Sequence, residues 1–270
     1  MRRSFLGLLL LISATILPAE DLRIVSLAPA LTETICFLGG EKYLVGRCSA
    51  CDYPASVKNL PAAGRFGIVE LERVIALKPN WVISNDLMNV QAAEKMRELG
   101  IKVDLAQIDS MDDYVFWLKL IGEKLNKLPQ VRQILKEQEE KKLRIEASQP
   151  LPVKVLWVVN SKPLIVAGPG SLPDSTLKIM RLENAAAAAP VTYFKPSVEW
   201  VLSNRIDLII WGVPGKVVDS GRFWNHLPAV KKQRIVYHDI YDPVTRPGPR
   251  YLDAVEKLRR KVELIQEKRL

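Results

Sequence analysis

Cysteine, histidine and the usual catalytic motifs are scarce or missing in this chain of 270 residues. Three cysteines are too few for a disulfide framework, so the fold must depend on hydrophobic cores. The sequence contains no GxSxG elbow, no HExxH pair and no phosphate-binding loop. These absences argue against the common hydrolases, zinc peptidases and nucleotide-dependent enzymes. We therefore predict a protein that is not an enzyme and has no cofactor or metal ion of its own.

The strongest apolar run lies in residues 1–19, which have the three parts of a signal peptide. Arg2 and Arg3 precede an apolar stretch over residues 5–17, and Leu-Pro-Ala ends at Ala19. The stretch is short for a bilayer span of about 20 residues, although an uncleaved membrane anchor is an open alternative. No cysteine ends the segment, so no lipid anchor is expected. We predict a periplasmic protein that is cleaved near Ala19.

The net charge is +9, and it falls to +7 without Arg2 and Arg3 of the signal peptide; the remaining excess is largely carried by KLRRKVELIQEKRL over residues 257–270. The segment has helical periodicity with a basic outer face, which is typical of a solvated helix. Nucleic-acid binding would favour aromatic residues between the basic ones, and the segment has none. We predict a monomer with no nucleic-acid partner.

Short apolar segments alternate with helical ones between residues 24 and 105, which predicts a mostly parallel sheet. Residues 111–126 then predict one helix, and a run without Gly or Pro to residue 147 predicts a second, about 28 Å long. A second strand–helix series follows residue 152. The sequence therefore predicts an α/β fold of two Rossmann-like lobes with mostly parallel sheets joined by one long backbone helix. The predicted boundaries are residues 20–127, 128–150 and 151–270, after the signal peptide.

A weak internal repeat relates the two halves. LERVIALKPNWVIS at residues 71–84 and VEWVLSNRIDLIIWG at residues 198–212 share the order of acid, short helix, break and buried strand. Glu72 and Glu199 fall at matching places in this order.

Four motifs in the right order resemble one family. They are R-I-V-S-L-A-P-x-x-T-E at residues 23–33, C-D-Y-P at 51–54, L-E-R-V-I-A-L-K-P at 71–79 and R-P-G-P-R at 246–250. The chain, after its signal peptide, resembles the periplasmic binding proteins of ABC importers for cobalamin, ferric siderophores and haem. The resemblance implies a ligand cleft between two α/β lobes and a rigid helical connection that limits hinge opening.

The resemblance also implies a membrane partner, the permease of an ABC importer. In the family, one glutamate on each lobe docks into permease arginines, and the matching residues are Glu72 and Glu199. A carboxylate in the first turn of a helix is favoured by the helix dipole and suits pairing with arginine. The alternative is that each glutamate only caps its own helix.

The predicted ligand contacts follow from the same resemblance. They are Ala50, Cys51, Phe66, Asn85, Tyr193, Tyr241, Asp242 and Arg246. Cobalamin-binding members place aromatic residues at the positions of Ala50, Phe66 and Asn85, and each missing aromatic removes about 1–2 kcal/mol of apolar contact. The predicted ligand is therefore a metal chelate of unspecified type: a corrinoid, a ferric siderophore or haem. Arg246 either binds an anionic group of this ligand or forms a structural pair with Asp242.

The rarer residues of the chain suggest alternative functions. Cys48 and Cys51 form a CxxC pair, which would suit a secreted thiol oxidoreductase, but a proline soon after the pair argues against a helix starting there. A Cys48–Cys51 or a Cys36–Cys48 disulfide is open, with Cys36 otherwise a core residue. His238 is an alternative iron ligand, as are the phenols of Tyr241 and Tyr53. A ligand sensor for a membrane receptor would use the same fold and cleft.

Overall fold

A computed structural model describes residues 22–85, 88–238 and 242–267. The predicted signal peptide and Tyr241 lie outside these residues. The first lobe has a parallel sheet in the order β2-β1-β5-β6, with the separate antiparallel hairpin β3–β4. Its strands are β1 (Ile24–Ser26), β2 (Leu44–Arg47), β3 (Gly64–Arg65), β4 (Ile68–Val69), β5 (Trp81–Ser84) and β6 (Lys102–Leu105). Its helices are α1 (Pro29–Phe37), α2 (Leu71–Ala76), α3 (Val90–Glu98) and α4 (Met111–Lys124).

The strands of this sheet form where the sequence has short, continuous apolar runs. Every residue of β1 and β5 is buried, as expected for parallel strands covered by helices on both faces. Pro29 starts α1, where its missing N–H costs nothing, and Gly39 follows the helix with φ of 75°. Ser110 and Asp113 form a reciprocal capping box that fixes the start of α4.

One long helix, α5 (Leu128–Glu146), connects the two lobes and confirms the predicted backbone helix. Val131 and Ile134 near its start belong to the core of the first lobe. Ile145 near its end belongs to a core of the second lobe. Gly122 lets α4 pack closely on α5, because a Cβ there would come within 2.3 Å of the Val131 side chain. The helix is therefore anchored at both ends.

The second lobe has a mixed sheet in the order β10-β8-β7-β11-β12, with β9 parallel to β7. Its strands are β7 (Lys154–Ser161), β8 (Leu164–Ala167), β9 (Glu183–Asn184), β10 (Tyr193–Phe194), β11 (Leu208–Trp211) and β12 (Ile235–Tyr237). Its helices are α6 (Leu172–Ile179), α7 (Val198–Ser203), α8 (Pro228–Lys231) and α9 (Tyr251–Glu267). The parallel pairs are β7–β11, β11–β12 and β7–β9, while β8 is antiparallel to β7. Only two residues separate β7 from β8, and such a short link requires a hairpin.

The buried side chains form separate cores on the two sides of α5. Two clusters lie in the first lobe and two in the second. In the described part of the chain, none of the helices has the length and apolar composition needed to cross a membrane. The α/β fold and the two-lobed arrangement are confirmed, and the exact boundaries between the lobes stay predictions.

Candidate functional site: a cleft between the lobes

A cavity of about 740 Å³ lies between the two lobes. The first lobe contributes Ala28, Pro29, Ala30, Ala50, Phe66, Ile108 and Asp109. The second contributes Trp157, Val159, Asn160, Ile165, Leu172, Pro173, Tyr193, Gly212, Thr245, Arg246 and Pro247. Most of these side chains are apolar, and the volume is in the range of small-molecule sites.

The parallel strands explain the position of this cleft. Ala28 and Pro29 follow β1, Asp109 follows β6 after a short loop, and Gly212 follows β11. The carboxyl ends of parallel strands meet at one edge of a sheet, where α/β folds bind ligands. The two sheets therefore turn their carboxyl edges toward the same space.

Ala50 and Phe66, two of the predicted ligand contacts, line the cleft from the first lobe. Phe66 is at the tip of the β3–β4 hairpin, whose two-residue turn needs the positive φ of 72° at Gly67. Its ring is 47% exposed, so it is available to a ligand.

Cys51 and Asn85 were predicted to contact a ligand, but the described residues that line the cleft do not include them. Both side chains are buried. Thr32 Oγ1 donates to Cys51 Sγ at 3.1 Å, and Ser84 Oγ donates to Asn85 Oδ1 at 3.5 Å. They lie below the cleft surface, so the structure gives no support to direct contact with a ligand.

Tyr193 lines the cleft from the second lobe. Burial raises the pKa of its phenol, and the negative charge of Asp109 on the first lobe raises it further. The Asp242 carboxylate is not part of the described lining; it instead accepts from Val244 N at 3.0 Å and caps the short helix Pro243–Thr245. Tyr241, also predicted, lies outside the described residues.

Arg246 lines the cleft, but its carboxylate partner differs from the predicted Asp242. Its Nη2 donates to Asp52 Oδ1 at 2.9 Å, which links the second lobe to the C-D-Y-P motif of the first. The proposed structural pair with Asp242 is therefore corrected to a cross-lobe pair with Asp52. Residues so distant in the chain gave no signal for this contact in the sequence.

A second cross-lobe pair was also missed by the sequence analysis. Arg250 Nε and Nη2 donate to the two oxygens of Glu33 at 2.8 and 2.7 Å. This bidentate bond raises the pKa of Arg250. The same guanidinium lies 3.6 Å from the centre of the Tyr53 ring. Glu33 is the last residue of the motif at 23–33, and Arg250 is the last residue of the motif at 246–250. Nothing else in the sequence indicated that these two residues matter, and nothing indicated that they form a pair.

Other cleft residues come from inside the second sheet. Trp157 on β7 reaches the cleft although it is almost fully buried, and its ring meets His238 edge-on with centroids 5.5 Å apart. Gly212 permits this packing, because a Cβ there would be 2.7 Å from His238 Nε2. The described cleft lining does not include His238. An apolar strand pattern does not distinguish Trp157 from its core neighbours, so the sequence analysis missed it.

Glu72 and Glu199, the predicted docking residues, are both exposed in the first turns of α2 and α7. The α7 helix is capped by Ser197, whose Oγ accepts from Trp200 N at 3.1 Å. The pKa of Glu199 is lowered by its own backbone N–H and then by Ser197. Both carboxylates face solvent in equivalent elements of the two lobes.

Cys48 and Cys51 lie beneath the loop that carries Ala50. Their Sγ atoms are 2.9 Å apart, and Cys36 is a third, half-buried thiol. Among the described residues no group of three or more His, Cys, Asp or Glu side chains is arranged to hold a metal ion.

Comparison with known proteins decides the family. The sequence matches the family described as periplasmic binding protein over residues 24–240. The chain belongs to this family. It is 27% identical to a vitamin B12-binding protein of Vibrio vulnificus over 283 aligned positions, which cover all of both chains. It is also 29% identical to an uncharacterized ABC transporter substrate-binding lipoprotein of Bacillus subtilis, over 88% of this chain and 79% of that protein.

Solved structures of periplasmic binding proteins share the fold. The haem-binding protein HutB of Vibrio cholerae superposes with a TM-score of 0.81 at 24% identity, covering 90% of this chain and 99% of that one. The vitamin B12-binding protein BtuF of Vibrio cholerae gives 0.74 at 23% identity, covering 90% and 97%. The predicted family is confirmed. Family membership implies an extracytoplasmic location, and the relatives are substrate-binding transport proteins.

Proposed function

We propose that this periplasmic binding protein captures a metal chelate in its cleft and delivers it to the permease of an ABC importer. The chelate is a corrinoid, haem or a ferric siderophore. The observation that carries the proposal is the cleft itself, which both lobes line with apolar and aromatic side chains. A ligand that fills it contacts both lobes at once and favours their closed arrangement.

The chemistry of the cleft suits a flat, largely apolar ligand. Phe66, Trp157 and Tyr193 offer aromatic rings from the two lobes. Such rings pack against extended π-systems and metal macrocycles. Arg246 is the cationic side chain of the described lining, and an anionic arm of the ligand would share or replace its contact with Asp52.

The named relatives support the ligand class. Their names refer to vitamin B12 and haem. The signal peptide is further proposed to direct export to the periplasm and to be cleaved near Ala19, which N-terminal sequencing of the exported protein tests directly. A permease that accepts the protein would separate this function from a ligand sensor.

A thiol oxidoreductase is less compatible with the site. A catalytic dithiol presents one thiolate to its substrate. Here Cys48 and Cys51 are 0% and 1% exposed in the folded protein. Neither thiol is therefore presented to a substrate, and we propose that the loop around the two cysteines has a structural role.

The test is an absorbance spectrum of the purified protein, dialysed after incubation with haemin, cyanocobalamin or a ferric siderophore. We expect the protein to retain one of these three ligands, at about one molecule per chain. Loss of the ring in Phe66→Ala or Tyr193→Ala should weaken binding roughly 5- to 30-fold, for about 1–2 kcal/mol of apolar contact.

Phe37→Ala is the matched control, because Phe37 is 49% exposed, close to the 47% of Phe66, but lies at the end of α1 outside the cleft lining. Its affinity should be unchanged. Retention of none of the three chromophores would contradict the proposed ligand class while leaving the family assignment in place.

A further inference from the structure

The CxxC pair has a geometry that the proposed transport function does not require. Cys48 Sγ and Cys51 Sγ are 2.9 Å apart. A disulfide bond is about 2.05 Å long, so a small approach of the two sulfurs would complete one. Both side chains lie in an apolar cluster of the first lobe, directly below the cleft.

The backbone holds the two cysteines at the ends of a tight turn. Cys51 N donates to Cys48 O at 3.0 Å, and Cys48 N is bound to Ser26 O of β1. Arg47 secures the turn from outside, since its Nη1 donates to the carbonyls of Cys48, Ser49 and Cys51 at 3.0, 3.3 and 3.3 Å. These backbone contacts position the two cysteines independently of their sulfur atoms, and Thr32 Oγ1 adds a bond to Cys51 Sγ at 3.1 Å.

The two thiols are also electronically different. The Cys51 thiol donates to Cys48 sulfur and lowers the pKa of Cys48 against the opposing effect of burial; the backbone N–H groups of Ala50 and Cys51 and the charge of Arg47 add to the lowering. Burial raises the pKa of Cys51. Cys48 therefore loses its proton more readily than Cys51, and the thiol that ionises more readily is the one that attacks a disulfide in thiol–disulfide exchange.

We propose that Cys48 and Cys51 form an intrachain disulfide in the exported protein. The oxidant is the disulfide of an extracytoplasmic thiol oxidoreductase, or a low-molecular-weight disulfide. An extracytoplasmic compartment is oxidising enough for this bond to form and persist.

The exchange proceeds in two balanced steps. The Cys48 thiolate attacks one sulfur of the oxidant, the oxidant's S–S bond breaks, and a mixed disulfide and one thiolate are formed. Cys51 then loses its proton to solvent and attacks Cys48 sulfur, which releases the second thiolate. The chain gives up two electrons and two protons, and the oxidant becomes two thiols.

The burial of the pair sets when this happens. Because Cys48 and Cys51 are 0% and 1% exposed in the folded protein, the oxidant reaches them after the local turn of residues 47–51 has formed but before the rest of the first lobe covers it. After folding, the disulfide is shielded from reductants. It then fixes the loop that carries Asp52 and Tyr53, the contacts of Arg246 and Arg250 across the cleft.

The first test is a thiol assignment on the full exported chain. The protein is unfolded in an alkylating agent without reductant, digested with trypsin and analysed by mass spectrometry. Cleavage after Arg47 and Lys58 places both cysteines in one peptide, residues 48–58, while Cys36 lies in another. The expected peptide carries no alkyl group and is lighter by two hydrogen atoms, and Cys36 is alkylated.

Alkylation of both cysteines in that peptide would overturn the proposal, as would a cross-link between Cys36 and Cys48. Burial, with Glu41 and Glu33 nearby, raises the pKa of Cys36 to about 12, so Cys36 is a poor partner for exchange. Cys36→Ser is therefore the control and should leave the peptide of residues 48–58 unchanged.

A second measurement uses the unmodified protein, with one variant as a control. The melting temperature of the unmodified protein should fall by a few degrees when reductant is present throughout unfolding, because the disulfide restricts the unfolded chain. Cys51→Ser should melt at the same temperature with and without reductant. If reductant does not change the melting temperature of the unmodified protein, the proposal is also overturned.

Discussion

At the scale of single residues, two arginines connect the lobes through carboxylates on the opposite side of the cleft. Arg246 binds Asp52, and Arg250 binds Glu33 with two parallel hydrogen bonds. The Glu33 side chain is almost fully buried, and the Arg250 guanidinium is paired with its carboxylate. Such pairs add little net stability when complete, but removing one partner leaves an uncompensated buried charge.

Arg250→Ala should therefore destabilise the protein by about 3 kcal/mol, measured as the free energy of unfolding in urea. Arg260→Ala is the control, because Arg260 forms an exposed pair with Glu256 at 3.1 Å one helical turn away. That pair should contribute only about 0.3–0.5 kcal/mol. If both variants lose the same free energy of unfolding, the Glu33–Arg250 pair stabilises the protein no more than the exposed pair does.

The buried carboxylate of Asp174 should give the protein part of its sensitivity to acid. Burial alone would raise its pKa, but bonds from Lys178, Asn184 and Gly170 N outweigh burial and lower it. A carboxylate with a lowered pKa stabilises the fold fully above its ordinary pKa, and this contribution is lost as the pH falls through the folded-state pKa.

Asp174→Asn should lower the free energy of unfolding at neutral pH and flatten its dependence on pH below about 4. The measurement is urea unfolding at a series of pH values. Asp219→Asn, at an exposed position, should keep the acid dependence of the unmodified protein. An Asp174→Asn curve parallel to the unmodified one would contradict this assignment.

At the scale of elements, each lobe joins a cleft aromatic to a surface glutamate through one short segment. Phe66 precedes Glu72 by six residues, and Tyr193 precedes Glu199 by six. In both lobes a short strand carries or borders the aromatic, and a six-residue helix carries the glutamate. The predicted ligand side and the predicted docking side of each lobe are therefore only six residues apart in the chain.

A glycine substitution in the middle of the connecting helix α5 should lower the stability of the protein through its effect on the backbone. Glu139 is exposed near its middle. Glu139→Gly should destabilise the protein by about 1 kcal/mol relative to Glu139→Ala, because glycine loses more backbone entropy in a helix. Urea unfolding measures the difference. The alanine variant is the matched control, and equal stability of the two would mean that the middle of α5 is not helical in solution.

The sequence predicted the elements whose signal is local. Apolar runs such as Trp81–Ser84 became buried strands, and the Gly- and Pro-free run became α5. The two-residue strands β3, β4, β9 and β10 were not predicted as strands, because so short a segment has no period. The resemblance placed Ala50, Phe66, Tyr193 and Arg246 on the cleft, but Cys51 and Asn85 proved buried. Contacts between distant segments, such as that of Glu33 with Arg250, needed the three-dimensional structure.

At the scale of the whole molecule, the helix α5 and the pairs of Arg246 with Asp52 and Arg250 with Glu33 connect the two lobes. A continuous helix resists bending more than loop hinges do. The lobes should consequently move little when a ligand binds. Recognition by a permease would then depend on where the two exposed glutamates stand on the surface.

Charge reversal of these glutamates should separate ligand binding from transport. Glu72→Arg and Glu199→Arg, alone and together, should retain the ligand, because neither residue lines the cleft. Each should reduce stimulation of the importer's ATPase roughly tenfold or more, since the reversed charge repels the arginines expected on the permease. Glu98→Arg, at the exposed end of α3, changes the net charge equally and is the control. ATPase stimulation that survives in the double variant would refute docking through these two residues.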